Sequence, residues 1–592
     1  MIKNYRMKDY TYSQLKNNVS LPKYQRSLVW DKDRKRNFIN TIRNGNPFGV
    51  LLIYDDPKTG DFKIIDGLQR FTTLQDYESR PFDYVEIDEV EYFEIVEITQ
   101  LILNVYVGST REYVVDQIID FIAAIFKDKS LDLNQINIFE ENLLKIIINT
   151  YPEIKASQEA LLIQQSIFAL WKRISKNISI SDLEIPAIIY HGNESELPTI
   201  FQRLNTGGTS LTKYEVFAST WANTVLKEVD HDIAKIIDLR YQYLTNETHM
   251  QIDNYSEGEI IESRIVSLYE YCFALGKIIK KSAPILLDDK SNRDFDNVES
   301  IGFSTLVSFL GFHLRDMSKL NTYITSFTKP HALSVLKKTI VECYKFVEDT
   351  VLTHTSQYTK YIEAQVISMA AVWFKMNYDL DLDTLKLDFH PVSNNVRYQF
   401  QKYAPFRFFN DIIRGYWAGS GDSKLYEISR SVTENNRYTT PIQESVWESN
   451  LIDWMENQLD KPLKTIPAEN KMFVSFISRP YIDNDSISQY SCNWIIPRNM
   501  LMNKGVVKAF SHIGNIFWIP KFISSKYDVK NQTICGTSQL SQTELKHLYE
   551  LHHPEKRLIA FADKNDIEID YEEFIRNRIQ YLTKEFLRII PV

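Results

Sequence analysis

From about residue 220 to 380 the chain reads as long amphipathic helices, and this run constrains the fold more than any other feature. Segments such as SEGEIIESRIVSLYEYCFALGKIIKK (256–281) and YIEAQVISMAAVWFKMN (361–377) repeat Leu, Ile and aromatic residues at helical spacing. Stripes of that kind fill a core rather than hold a cofactor. The flanks differ. Residues 1 to about 125 alternate short apolar runs with turn punctuation, and the last 150 residues return to a mixed pattern. A chain of 592 residues exceeds what one hydrophobic core organises, so about three domains are expected. The boundaries fall at 1–220, 221–440 and 441–592, with the small-residue stretch GYWAGSGDSKLYEIS (415–429) as the second break. The fold class expected is α+β.

Within the first domain, GVLLIYDD (49–56) and DFKIIDG (61–67) flank DPKTG, which predicts two strands joined as a hairpin. DKDRKRNFINTIR (31–43) places Phe38, Ile39 and Ile42 at helical spacing. FEENLLKIIINTY (139–151) and EALLIQQSIFALWKRI (159–174) are helical, and IPAIIYH (185–191) reads as a strand.

The net charge of −9 gives no global attraction to nucleic acid, so contact with DNA has to come from a local basic surface. The opening segment supplies one: up to Arg43 there are eleven Lys and Arg against three Asp, a net of +8. Four widely spaced cysteines without a CxxC pair exclude a disulfide framework and a thiolate zinc site, and suit a reducing cytosol. The first eighteen residues lack the apolar core of a signal peptide, and no stretch has the length of apolar sequence a membrane span needs. A cytoplasmic protein without membrane contact is expected.

Three polar clusters follow apolar, strand-like runs: LPKYQRSLVW (21–30), IIDGLQRFTT (64–73) and FQRLNTGGTSLT (201–212). Each carries groups suited to an anion. Arg26 and Arg70 offer guanidinium forks that match phosphate oxygens in pairs. Gly67, Gly207 and Gly208 let the backbone approach closely and turn N–H groups inward. Thr72, Thr73, Thr206 and Thr209 add hydroxyls, and Asp66 is placed to orient an arginine or to hold Mg²⁺ through water. An Asp-Gly corner is equally a plain turn between a strand and a helix, and NTGG a plain loop. No GxxxxGK(S/T) sequence is present, which excludes a P-loop.

The ordered set YQR…W, DGLQRFTT and IFQRLNTGGTSL resembles the N-terminal domain of the GmrSD family of modification-dependent restriction and anti-phage defence factors, over roughly residues 10 to 220. The resemblance implies a ParB/sulfiredoxin-like fold that binds and hydrolyses a nucleoside triphosphate, with Mg²⁺. The family signature D-G-Q-Q-R matches at Asp66, Gly67, Gln69 and Arg70, while Leu68 replaces the first glutamine. It implies a catalytic set of Asp66, Gln69 and Arg70. The implied nucleotide-binding set is Tyr24, Gln25, Arg26, Gly67, Thr72, Thr73, Asn205, Thr206, Gly207 and Gly208. Arg70 is the residue expected to matter most, with Thr72, Thr73 and Arg26 converging on it.

The C-terminal part resembles the HNH-nuclease domain of the same family more weakly, through NWIIPRNML (493–501), SHIGNIFWIPKFISSKYD (511–528) and the closing helix YEEFIRNRIQYLTKEFL. The resemblance places the general base at Trp494 and the acidic residue before it at Asn493. Asn515 is retained, and the later Asn/His position falls near Ser524. An indole has no basic nitrogen to take a proton from water, so a standard HNH hydrolysis is not expected. His512 and the pair His552-His553 are the substitutes within reach for a metal site. Three readings follow. The first is a nucleotide-hydrolysing defence factor that recognises foreign or modified DNA. The second is a non-catalytic sensor that oligomerises or recruits an effector protein. The third is a DNA nuclease with unorthodox ligands.

Overall fold

A computed structural model describes residues 4–21, 30–55, 62–84, 93–126, 136–192, 224–248, 250–252, 255–288, 298–313, 330–353, 362–381, 386–419, 421–478, 489–503, 505–524 and 571–591. The architecture is mixed α+β, and the chain divides into two compact units. One comprises residues 1–219 and 239–257, the other residues 220–238 and 258–592. The division passes through the helix His231–Thr248.

The first unit is built on a five-stranded sheet. Its strands are β1 (Tyr5–Thr11), β2 (Val19–Ser20), β3 (Leu51–Asp55), β4 (Phe62–Asp66) and β5 (Glu184–Tyr190), in the order β1-β5-β3-β4-β2. β3 and β4 pair antiparallel, as the turn signal between them requires. β5 joins β3 in parallel, and β1 lies antiparallel to β5. Leu51, Leu52, Ile53 and Tyr54 are all buried, so β3 is covered on both faces, as a central strand in a mixed sheet must be. Between β4 and β5 the chain inserts a helical block. In it Glu159–Ile178 buries Ile163, Ile167, Leu170, Trp171, Ile174 and Ile178, the stripe its sequence period dictates. Residues 239–257 return to this unit: Leu21 N–H donates to Gln251 O at 2.9 Å, and Tyr241, Leu244, Met250 and Ile252 are buried.

Among its described residues the second unit is helical apart from three short strand pairs. The stretch 256–281 does not run as one helix. Glu259–Ser263 stops at Arg264, which is left-handed at φ 51°, and Leu268–Ser282 begins afresh. The restart is a capping box: Ser267 accepts from Glu270 N–H while the Glu270 carboxylate accepts from Ser267 N–H. The Glu363–Asn377 helix is buried along most of its length. Residues 415–429 lie inside this unit as a turn followed by the helix Gly421–Ser429. Here Asp411, 1% exposed, accepts from Trp417 Nε1 at 3.1 Å and from Arg437 Nη2 at 2.6 Å. An aromatic cluster of Phe409, Trp447, Phe473, Phe476 and Phe586 then ties Asn394–Ile413, Glu444–Glu456 and Ala468–Ser478 to the helix Tyr571–Ile589. One continuous apolar layer therefore spans both sides of residue 440. Among the described residues no helix is long and apolar enough to cross a membrane.

Candidate functional site

The DGLQR sequence is a strand-to-helix corner. β4 ends at Asp66, Gly67 turns at φ 101°, and the helix Leu68–Ser79 begins. Only glycine takes that dihedral without strain. A Cβ at Gly67 would also meet Leu51 Cδ2 at 2.2 Å. No side chain caps the first turn of this helix, whose first residues Gly67, Leu68 and Gln69 are buried; the amide dipole of such an end attracts anions.

Arg70, on the first turn, folds back over the corner. Its Nη2 donates to Asp66 Oδ2 at 3.0 Å and its Nη1 to Val50 O at 3.0 Å. Gly49, at φ 91°, makes room for it, since a Cβ there would come within 2.4 Å of Nη1. The Asp66 and Arg70 side chains keep 37% and 20% of their exposure, so the pair is held in place while still meeting solvent. The guanidinium has five N–H donors and uses two of them here.

Gln69 is buried, and its Oε1 accepts from Trp30 N–H at 3.1 Å. That bond fixes the end of the LPKYQRSLVW cluster against the DGLQR helix, and the Trp30 ring then meets Phe38 edge-on. Gln69 thus acts as a bracket between two of the sequence clusters. The two threonines behave differently from the expectation of ligand-facing hydroxyls. Thr72 Oγ1 donates to Leu68 O at 2.9 Å and Thr73 Oγ1 to Gln69 O at 2.6 Å, both buried. The reason is local: once Leu68 starts a helix, a threonine on its second turn bonds back to the carbonyl four residues before. The far end of the helix is braced by Asp76, which receives Arg80, Tyr84 and Lys35. Burial pushes its carboxyl up, and the three donors outweigh this and hold it below the ordinary carboxylate value. Tyr24, Gln25, Arg26, Asn205, Thr206, Gly207, Gly208 and Thr209 lie outside the described residues.

The C-terminal positions are also accounted for. The strands Tyr490–Trp494 and Ile516–Pro520 pair antiparallel, with Asn493 opposite Phe517. Trp494 Nε1 donates to Ser511 Oγ at 2.9 Å, and Asn493 Nδ2 to Ser491 Oγ at 3.2 Å. Asn515 is fully buried and clamps the backbone. It accepts from Ile496 N–H and donates to Ile496 O and Phe510 O, each within 2.9 Å. His512 is no substitute base or ligand. Its Nδ1 accepts from Gly514 N–H at 2.9 Å, so the proton sits on Nε2 and goes to Met455 O at 2.7 Å. Burial takes its pKa down to about 4. Ser524 ends the short helix Lys521–Ser524, and His552 and His553 lie outside the described residues. No group of three or more His, Cys, Asp or Glu side chains is gathered among the described residues in a way that could hold a metal ion.

The family model of the GmrSD restriction endonuclease N-terminal domain matches residues 8–222. An uncharacterized protein of Methanocaldococcus jannaschii is 19% identical over 350 residues, covering 52% of this chain and 57% of the relative. The chain spans little more than half the length of that curated relative. The match encloses the Asp66–Arg70 corner and the whole of the five-stranded sheet except the start of β1. Residues 8–222 are thus similar to the N-terminal domain of the GmrSD-type family.

Proposed function

We propose that the protein is a restriction-type, anti-phage defence factor whose N-terminal unit binds and hydrolyses a nucleoside triphosphate at the Asp66–Arg70 corner, coupled to recognition of foreign or modified DNA. One observation carries this reading: an uncapped helix N-terminus stands beside an arginine locked in orientation by Asp66 and Val50 O. A phosphate oxygen there meets an amide dipole and a guanidinium whose remaining N–H groups need no reorganisation. Preorganised donors of this kind stabilise charge that develops during phosphoryl transfer. The ParB-like fold, and the contributions of Arg26 and the 205–208 loop, belong to the same proposal. Asp66 is the carboxylate beside this corner that fits Mg²⁺ carried in on the triphosphate, since that ion commonly takes one or two protein carboxylates and fills its other positions with phosphate and water. The basic opening segment, with Lys32 and Arg34 exposed on the helix Lys32–Arg43, is the surface proposed for the DNA backbone. Binding through it weakens as salt rises.

Phosphate release from a nucleotide panel tests the reading. Arg70→Ala is expected to lower turnover at least a hundredfold while far-UV circular dichroism stays unchanged; turnover at the normal rate removes Arg70 from the mechanism. A second reading, a sensor that recruits a separate effector, gains support from the C-terminal unit. There Trp494 stands at the position the resemblance assigns to the general base, and Asn515 holds backbone. A plasmid assay with Mg²⁺ or Mn²⁺ separates the readings. Turnover without nicking favours the first, neither favours the second, and nicking favours a nuclease with unorthodox ligands.

A further inference from the structure

The turn after the helix Glu444–Glu456, residues 506–509 and the start of the helix Tyr571–Ile589 together wall a cleft of about 530 Å³. That size lies within the range of roughly 300–1,000 Å³ typical of ligand sites. Its base is apolar: Ile575 is fully buried there, and Leu459, Val506 and Ala509 continue the lining. Val507 stands at the mouth, 73% exposed. A single exposed valine is ordinary on a protein surface. This one is set by a strained neighbour. Ala509 has φ 58°, a left-handed backbone that a residue with a Cβ adopts only at a cost. Its N–H donates to Lys461 O at 2.8 Å and its carbonyl accepts from the Tyr571 hydroxyl at 2.8 Å, so the bend is held from both sides. Strain kept in place like this gathers where ligands are clamped.

Charged side chains complete the lining. Asp460 pairs with Lys508 Nζ at 2.5 Å, Glu572 with Arg576 Nη2 at 2.7 Å, and Glu456 with Arg576 Nη1 at 3.7 Å. Three carboxylates against two cations give the cleft a net charge of 2 − 3 = −1. The Glu456 and Asp460 side chains stay 52% and 87% exposed, four residues apart at the end of one helix. Each ionised carboxylate accepts several hydrogen bonds, so either can take an incoming N–H while keeping its present partner. A rim of this sign attracts a cation and disfavours a phosphate backbone. Residues 506–508 belong to no helix or strand and lie along the cleft, with Val507 and Lys508 open to solvent.

We propose that this cleft docks an extended peptide segment of a partner protein, one that alternates apolar side chains with lysine or arginine. The apolar side chain settles against Leu459 and Ile575 and covers Val507. The neighbouring cation reaches Glu456 and Asp460, and the peptide backbone runs beside 506–508. Apolar pockets for alternate side chains beside an extended strip are a recurrent way of reading a peptide. Charge complementarity selects the basic residue, since the two cations of the cleft are already paired with its carboxylates. The cleft lies in the second unit, and the proposal is independent of the nucleotide corner.

The test titrates the full chain calorimetrically, at constant ionic strength, with a capped octapeptide of alternating leucine and lysine. Two control peptides replace lysine by glutamate or leucine by serine. Saturable binding of the Leu-Lys peptide is expected, at least tenfold tighter than either control. The double variant Glu456→Gln, Asp460→Asn is expected to weaken it at least tenfold, and Val507→Ser at least threefold. All three side chains are solvent-exposed, so these variants leave the core intact. No saturable binding, equal affinity for a control peptide, or affinity unchanged in both variants overturns the proposal. Spermidine that binds as tightly as the peptide, with the same loss in the double variant, assigns the cleft to a free polyamine and overturns it as well.

Discussion

His512 illustrates how burial decides what a titratable side chain does. Both ring nitrogens are engaged, one accepting and one donating, and desolvation holds the pKa at about 4 against 6.5 for the free group. The folded state therefore keeps this histidine neutral where the unfolded chain binds a proton. Its contribution to stability is complete above pH 6.5 and is lost as pH falls toward 4, amounting to about 3 kcal/mol. Comparing thermal unfolding at pH 7.5 and 4.5 for wild type and His512→Gln checks this. The wild type is expected to lose more stability than the variant across that interval, and equal losses would exclude the assignment. At this scale the sequence told residue type but not engagement. Arg70 was recognisable from DGLQR, yet its grip on Val50 O depends on Gly49, twenty-one residues away. Thr72 and Thr73 looked like free hydroxyls until the helix start at Leu68 fixed their acceptors.

At the scale of elements, the helices Leu268–Ser282 and Val298–Leu310 approach each other closely. A Cβ on Gly276 would fall 1.9 Å from Val298 O, and one on Gly302 1.8 Å from Cys272 O. Backbone meets backbone there, so no side-chain rotamer relieves the clash. Gly276→Ala and Gly302→Ala are each expected to destabilise the protein by about 3 kcal/mol or more, read as a fall in urea midpoint. Wild-type midpoints would show that the helices separate freely. The helical period announced these two helices but not their crossing, since neither glycine differs in sequence from a neutral interruption. The sheet was more legible. Alternation and the DPKTG turn marked β3 and β4 to within a residue or two, because hairpin pairing is set by neighbours in the chain. The strand Val266–Ser267 and the restart after it went unread, although Ser267 and Glu270 stand at capping-box spacing.

For the whole molecule, the first unit is discontinuous in sequence. Residues 239–257 come back to it, and Gln251 O accepts from Leu21 N–H. A fragment ending at 257 is expected to melt higher than one ending at 219, because the shorter piece loses the buried Tyr241, Leu244, Met250 and Ile252. Coincident melting curves would mean that the returning segment adds nothing to this core. Taken alone, the sequence determined what depends on neighbours along the chain: the helical middle, the β3–β4 hairpin, the strand-to-helix corner at Gly67 and the likeness of residues 8–222 to the GmrSD N-terminal domain. Only the tertiary structure decided which polar groups are spent and which are held open. It turned Gln69 into a bracket for Trp30, gave His512 and Asn515 to the backbone, and set the buried Arg578 Nε on Gly514 O. The physical reason is that hydrogen-bond satisfaction and desolvation are set by groups distant in sequence, and no local pattern encodes them.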